Sequence, residues 1–299
     1  MKNAAPSNLN ESKSVPFERD PAFPALPEKP LVTIEQSLPW VSLRLGDLWT
    51  YRELLYFLTW RDIKVRYKQT ALGAAWALIQ PLFMMILFAF AFGKLVRVPT
   101  EGVPAPLFYY VAILPWMFFS NALASSSNSL IANSNLITKV YFPRMIIPIA
   151  AVGAGLLDFA IAFVLLIGLI PYYKVVLTWR IVFIPILVCL TTLLASAFGM
   201  WMAALSVKYR DVRHALPFII QLWMFATPII YPLSLVPPTW RWLIALNPLT
   251  GIIEGYRASL FGHPMDWTGL AVSAGLTLIF TYFFAHIFRH MERSFADVI

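Results

Sequence analysis

Asp158 lies inside Met145–Pro171, an apolar run with no other charge. An acid at that depth is costly, and it is retained either to relay protons or to tie one helix to another by hydrogen bonds. No span offers a second acid, and the one histidine within a span, His286, sits at the end of the last span, so the sequence favours the tie. The four histidines, His214, His263, His286 and His290, are not at metal-ligand spacing. His286, at the end of the last apolar run, reads as a packed or snorkelling residue. Cys189 is the single cysteine, which leaves neither an internal disulfide framework nor a cysteine metal cluster. Clustered carboxylates that would hold a metal diphosphate are lacking in the sequence. The only Gly-Lys pair, Gly93-Lys94, is followed by Leu95, so the phosphate loop G-x-x-x-x-G-K-[ST] is missing. No metal, cofactor or catalytic residue is expected on this chain.

The chemistry that remains is electrostatic and stacking. In residues 51–69, at 100° per residue, Tyr56, Trp60, Ile63 and Tyr67 share one helical stripe, and Arg61, Lys64 and Lys68 share the next. Such a helix is expected at the headgroup level, where Arg61, Lys64, Arg66 and Lys68 meet anionic lipid. The alternative is a helix packed on its own protein with solvated charges. Aromatics are 15% of the residues. Most should be packing or interfacial belt residues. A subset among Phe83, Phe88, Trp116, Phe119, Trp223 and Phe225 is the candidate lining of a path, since aromatic rings give sugar C–H faces a flat surface.

These groups need a scaffold, and the composition restricts it. Of 299 residues, 59% are hydrophobic and 13% charged, against about 45–50% and about 25% in soluble domains. That excludes an ordinary soluble enzyme and a disordered protein. Six stretches approach the roughly 20 apolar residues that a membrane crossing needs. They are Ala71–Phe92, Pro106–Ala124, Met145–Pro171, Ile181–Val207, the shorter Ala215–Tyr231, and Trp267–Phe288. The net charge of +8 is expected to orient loops rather than to bind nucleic acid. Seventeen of the 23 Lys and Arg fall on the side that carries both termini, which predicts cytoplasmic termini. Residues 1–50, rich in proline and without a signal-peptide pattern, are expected to form an extended tail. Residues 51–69 form the interfacial helix, 70–290 the six-span domain and 291–299 a cytoplasmic tail.

Two segments are apolar without being spans. In the loop after the second span, Asn135 is a candidate N-cap for a helix Leu136–Tyr141 that Pro143 ends. Leu136, Ile137, Val140, Tyr141 and Phe142 are too apolar for a free loop, so the stretch is expected to dock into a partner's groove. Packing against its own spans is the alternative. On the other side, Trp240–Leu246 and Leu249–Phe261 are separated by Asn247-Pro248 and closed by Gly262, which frames a helix, with Glu254 and Arg257 able to pair at i,i+3. Both pieces are too short to cross, which predicts a re-entrant pair; an amphipathic lid is the alternative.

WRDIKVRYKQTALGAAWALIQP (60–81), PWMFFSNALASSSNSLIANSNLITKVYFPRMIIP (115–148), YRDVRHALPFIIQLWMFATPIIYP (209–232), NPLTGIIEGYR (247–257) and ERSFADVI (292–299) follow one another in an order and spacing that resembles the transmembrane subunit of type-2 ABC exporters. Within that class the chain is similar to the permeases that export polysaccharide, O-antigen foremost, with capsule and teichoic acid as relatives. The resemblance implies an all-α integral membrane fold in the bacterial inner membrane and a homodimer paired with two copies of a separate ABC ATPase, which holds ATP and Mg. The cargo it implies is a polysaccharide on a polyprenyl diphosphate. The ATPase-coupling segment would be Asn135, Leu136, Ile137, Thr138, Lys139, Val140, Tyr141, Phe142, Pro143 and Arg144. The external gate would include Trp240, Asn247, Pro248, Glu254 and Arg257, and the path would be lined by the first, second and fifth spans. An exporter of small lipids or drugs shares the fold and is the nearest alternative. A membrane transferase lacks its expected acidic or histidine cluster, and six spans are excessive for a scaffold's anchor.

Overall fold

Among the described residues every regular element is a helix. The computed structural model describes residues 45–68, 73–292 and 295. The proline-rich stretch before Leu45, the expected start of the first span at Ala71 and most of the C-terminal tail lie outside the described residues.

A short helix α1 (Leu45–Thr50) occupies the end of the expected tail and leads into α2 (Arg52–Lys68), close to the predicted interfacial helix. A 3₁₀ turn, Gly73–Ala75, opens α3 (Trp76–Phe88), which runs on through a π-helical segment, Ala89–Leu95. Gly93 in that segment lies against α4, where an added Cβ would come 2.8 Å from Ala105 Cβ. α4 (Ala105–Ala132) is followed by the six-residue α5 (Ser134–Lys139) and then by α6 (Ile146–Tyr172). A 3₁₀ turn, Trp179–Phe183, precedes α7 (Ile184–Lys208). α8 (Val212–Ala226), α9 (Pro238–Ala245), α10 (Pro248–Phe261) and α11 (Trp267–Glu292) complete the chain.

Five of these helical stretches are long and apolar enough to cross a bilayer: Trp76–Leu95, Ala105–Ala132, Ile146–Tyr172, Trp179–Lys208 and Trp267–Glu292. They match five of the six predicted spans. The sixth, expected over Ala215–Tyr231, is the 15-residue α8. At 1.5 Å per residue it is about 22 Å long, short of a roughly 30 Å hydrocarbon core. The shortfall arises because the backbone leaves the helix at Thr227, whose φ of −104° and ψ of 139° are extended, and Pro228 follows.

α4 is the axis of the bundle. It has 78% of its apolar window buried, against 17% for the first span and 22% for the last, so α3 and α11 keep most of their apolar surface for lipid or another chain. Small residues let the neighbours approach α4 closely, as they do between membrane helices. Ser127 Oγ lies 2.7 Å from Ser206 Oγ on α7, and Ser126 Oγ donates to Pro148 O on α6 at 3.1 Å. Aromatic and aliphatic residues of α4 form the main core with α3, α6, α7 and α10. A second cluster joins Leu58, Leu130, Ile137, Phe142, Met145, Phe288 and Phe295, and gathers α2, α5 and the end of α11 at one end of the bundle.

Candidate functional site

α2 packs on α6 through Leu55, Leu58 and Thr59. Thr59 lies against Gly153, whose missing Cβ leaves the room. Tyr56, Phe57 and Trp60 face outward and remain exposed. The helix is therefore packed along one side, and on the other Tyr56, Phe57, Trp60, Arg61, Lys64 and Lys68 are exposed. The cations divide accordingly. Arg61 pairs with the adjacent Asp62 at 2.7 Å. Lys64 and Lys68 are exposed, and Lys64 Nζ lies 5.4 Å from the centre of the Trp60 ring. Arg66 falls on the α6 side, where its guanidinium and the Tyr67 hydroxyl both donate to the Asp158 carboxylate. Burial, reinforced by the hydrogen bond to Asp158, pushes the Tyr67 phenol up to about 12, so it stays a donor at neutral pH. Of the four expected headgroup cations, Arg66 is thus committed within the protein, and Asp158 is the tie between helices. The pair is separated by 92 residues in sequence, so no local spacing signals it.

Beside this pair a cavity of about 400 Å³ opens between α2, α3, α4 and α6. Arg66, Tyr67 and Asp158 border it together with Gln80, Asn121 and Ser125 and the rings of Trp76, Phe118 and Phe159. Asn121 belongs to a stripe on α4, with Ser125 and Asn128, that stays at least partly exposed although the helix is otherwise the most buried span. The i, i+4, i+7 spacing of these polar residues in an uncharged run was the available signal for it.

The loop after α4 differs from expectation in its boundaries. The helix starts at Ser134 and stops at Lys139, because Val140 is already extended. Asn135 is inside the first turn rather than at the cap. The flanking residue is Asn133, which caps nothing and instead donates from Nδ2 to Ser129 O at 2.8 Å. Ile137 and Phe142 are buried in the chain's own second cluster, and Leu136 packs at its edge. Arg144 donates from its backbone N–H to Glu292 Oε1 at 2.8 Å and from its guanidinium to Glu292 O at 2.6 Å, which ties the loop to the end of α11. Pro143 is half-buried. Of the expected docking set, Asn135, Thr138, Lys139, Val140 and Tyr141 are exposed, Tyr141 at 90%.

At the other end the frame of α10 is as expected. Asn247 Oδ1 accepts from Leu249 N at 3.1 Å, Pro248 takes the first helical position, and Gly262 closes the helix at φ 72°. α10 is buried along nearly its whole length, while α9 leaves Trp240, Trp242 and Leu243 exposed. Arg257 is only 2% exposed; it pairs with Glu254 at 2.8 Å, donates to Ile229 O at 3.0 Å and stacks 3.9 Å over the Phe108 ring of α4. Burial pushes the Glu254 carboxyl up, and Arg257 beside it pulls the other way. The stack on Phe108 was not anticipated.

The expected aromatic lining is mostly core. Phe88, Trp116 and Phe119 are buried within this chain. Trp223 packs edge-on against Phe119 and Phe198 at 5.0 and 4.9 Å, and its Nε1–H donates to Asn247 Oδ1 at 3.1 Å, so it anchors the α9–α10 pair to α8. Only Phe83 and Phe225 present exposed faces. Among the described residues no group of acids, histidines or cysteines could hold a metal ion.

The model of the ABC-2 type transporter family matches residues 53–261. An O-antigen export system permease protein RfbA of Myxococcus xanthus is 30% identical over 257 residues, covering 85% of this chain and 98% of the relative. A protein of the same name from Klebsiella pneumoniae is 28% identical, covering 83% and 95%. A polysialic acid transport protein KpsM of Escherichia coli is 22% identical, covering 78% and 92%.

Proposed function

This chain belongs to the ABC-2 type transporter family, and from that premise we propose that it is the permease subunit of an ATP-driven exporter of O-antigen polysaccharide. The relatives from Myxococcus xanthus and Klebsiella pneumoniae carry that activity in their names, and a capsular exporter is the second reading. The cargo is a glycan carried on a polyprenyl diphosphate, and a homodimer of this chain works with two copies of a separate ABC ATPase that holds ATP and Mg. The positive-inside bias supports cytoplasmic termini in a bacterial inner membrane, with α8 and the turn after it counted as the sixth crossing.

The observation that carries the coupling is Tyr141. A tyrosine 90% exposed beside an exposed Val140, in a loop held rigid by Ile137, Phe142 and Arg144, is a projection with a firm base. ATP closure of the partner moves this projection. The loop joins α4 directly to α6, so the push enters the most buried helix. α4 passes it to α10 through Phe108 and Arg257, and Trp223 links α10's cap to α8. Each link is a packed, rigid element, the kind of network that carries coupling between distant sites. The partner supplies the differential affinity that shifts the equilibrium, since binding moves a two-state system only by that difference. The polar stripe Asn121, Ser125 and Asn128 and the exposed faces of α3 and α8 line the path. Lys64 and Lys68 attract the diphosphate head.

Expression of the chain with its ATPase in a strain deleted for O-antigen export tests the reading. Surface polysaccharide should return, and should fail to return with either chain alone. Rescue of a capsule-export deletion instead would move the assignment to the second reading.

A further inference from the structure

The cavity beside Arg66 and Asp158 has a chemistry distinct from the cationic stripe next to it. Among the described residues its one cation and its one acid are bonded to each other, so the pair is neutral. A phosphate entering there would meet the Asp158 carboxylate together with the Arg66 guanidinium and gain little. A lipid acyl chain would leave the carboxamides of Gln80 and Asn121 and the hydroxyl of Ser125 facing hydrocarbon. Among the described residues none of these three side chains has a hydrogen-bonding partner. Trp76 stands one turn before Gln80 on α3 and Phe118 one turn before Asn121 on α4, and Phe159 of α6 completes the aromatic part of the lining. Amides and a hydroxyl beside the exposed Trp76 ring, with Phe118 and Phe159 buried against each other and no net charge, suit a ligand that is neutral, rich in hydroxyls and flat on one C–H side. At about 400 Å³ the space is near the lower end of small-molecule sites and admits roughly one or two sugar rings.

We propose that this cavity is a carbohydrate subsite that holds the sugars nearest the lipid. The proposal rests on the reading of the cargo as a lipid-linked glycan and deepens it. Placement on α2 fits. At 100° per residue Lys64 and Lys68 share the outward stripe and Arg66 faces α6, with Tyr67 between them. A diphosphate held outside by the two lysines therefore directs what is attached to it past the Tyr67 hydroxyl and into the cavity. The site reads the first sugars, and the lysines read only charge.

The test measures binding to the permease–ATPase complex of two probes, a bare polyprenyl diphosphate and the same lipid carrying a disaccharide. The wild type should bind the sugar-bearing probe about tenfold more tightly, the worth of one or two hydrogen bonds. Gln80→Leu with Asn121→Leu should bring that ratio to about threefold or less by weakening the sugar-bearing probe. Lys64→Glu with Lys68→Glu should weaken both probes and preserve the ratio. Asn121→Ala, which adds no bulk, should lower the ratio in the same direction if the double variant fails to assemble. Equal binding of both probes by the wild type, or a ratio that survives the Gln80 and Asn121 changes, overturns the subsite and leaves the cargo assignment standing. Binding of neither probe overturns both.

Discussion

Replacing Arg257 by Met should be the most damaging single change at the α9–α10 end of the bundle. Met retains much of the buried stem but removes the 2.8 Å pair with Glu254, the 3.0 Å bond to Ile229 O and the stack on Phe108. Removing one member of a buried ion pair costs about 3–5 kcal/mol, because the other charge is stranded. Glu254 keeps 20% of its side chain exposed and can take up a proton, which places the expected loss at the lower end, about 3 kcal/mol. The pH dependence has a definite sign. Burial raises the Glu254 carboxyl, and the variant removes Arg257, the main group opposing that shift, leaving only the backbone hydrogen bond from Leu233 against it. An acid whose folded pKa lies above its unfolded value, about 4.3, contributes most to stability below the unfolded value and loses that contribution as pH rises through the folded pKa. The deficit should therefore widen from pH 5 to pH 8. Glu254→Gln added to Arg257→Met should recover part of it, leaving about 1–2 kcal/mol for the carbonyl left without its donor. Equilibrium unfolding in mixed micelles, followed by tryptophan fluorescence, reads all of these. A loss under about 1 kcal/mol, or a deficit that shrinks as pH rises, would refute the clamp.

Tyr141→Asp should uncouple export from ATP hydrolysis while leaving the bundle as stable as wild type, since the side chain touches little of its own chain; unchanged export per ATP would count against the docking role. Asp158→Asn and Arg66→Gln should each lower stability by about 1 kcal/mol, with the double variant less than additive, because both remove one partly exposed link. Export by Asp158→Asn should persist with an unchanged pH profile, and its loss at every pH with normal assembly would return the acid to the transport path. Trp223→Phe keeps a packed ring but forfeits the bond to Asn247 and leaves the rest of the indole's space unfilled, about 1–2 kcal/mol, whereas Trp223→Ala should cost about 3–5 kcal/mol; similar losses in the two variants would mean that the hydrogen bond, not the ring, holds α8 to α10.

Spans and caps were legible because their signals are local. Hydropathy located the five long helices, and Asn247, Pro248 and Gly262 frame α10 through backbone preferences that need no knowledge of the rest of the chain. The Glu254–Arg257 pair is a matter of helical spacing. What was illegible depends on distant partners. Apolarity does not say which neighbour covers a ring, so Phe88, Trp116 and Phe119 qualify by type as candidates for a lining although Phe88 packs on Tyr109 of α4, and Phe119 of α4 packs on Phe198 of α7 and Trp223 of α8. Ile137 and Phe142 looked like docking residues because the contact that folds their loop back, Arg144 with Glu292, spans 148 residues. Arg66 shared a charge cluster with Lys64 in sequence but faces the opposite side of α2, toward an acid that only the packing of α6 reveals. The early end of α8 is invisible to hydropathy, which does not register the extended turn at Thr227.

The most direct measurement reconstitutes the chain with its partner ATPase in vesicles, supplies lipid-linked polysaccharide on the ATPase side, and follows glycan appearing in the lumen together with phosphate release. Export should require both chains and ATP, and the purified permease alone should release no phosphate. Nucleotide hydrolysis by this chain unaided, or glycan translocation without the ATPase, would contradict the account.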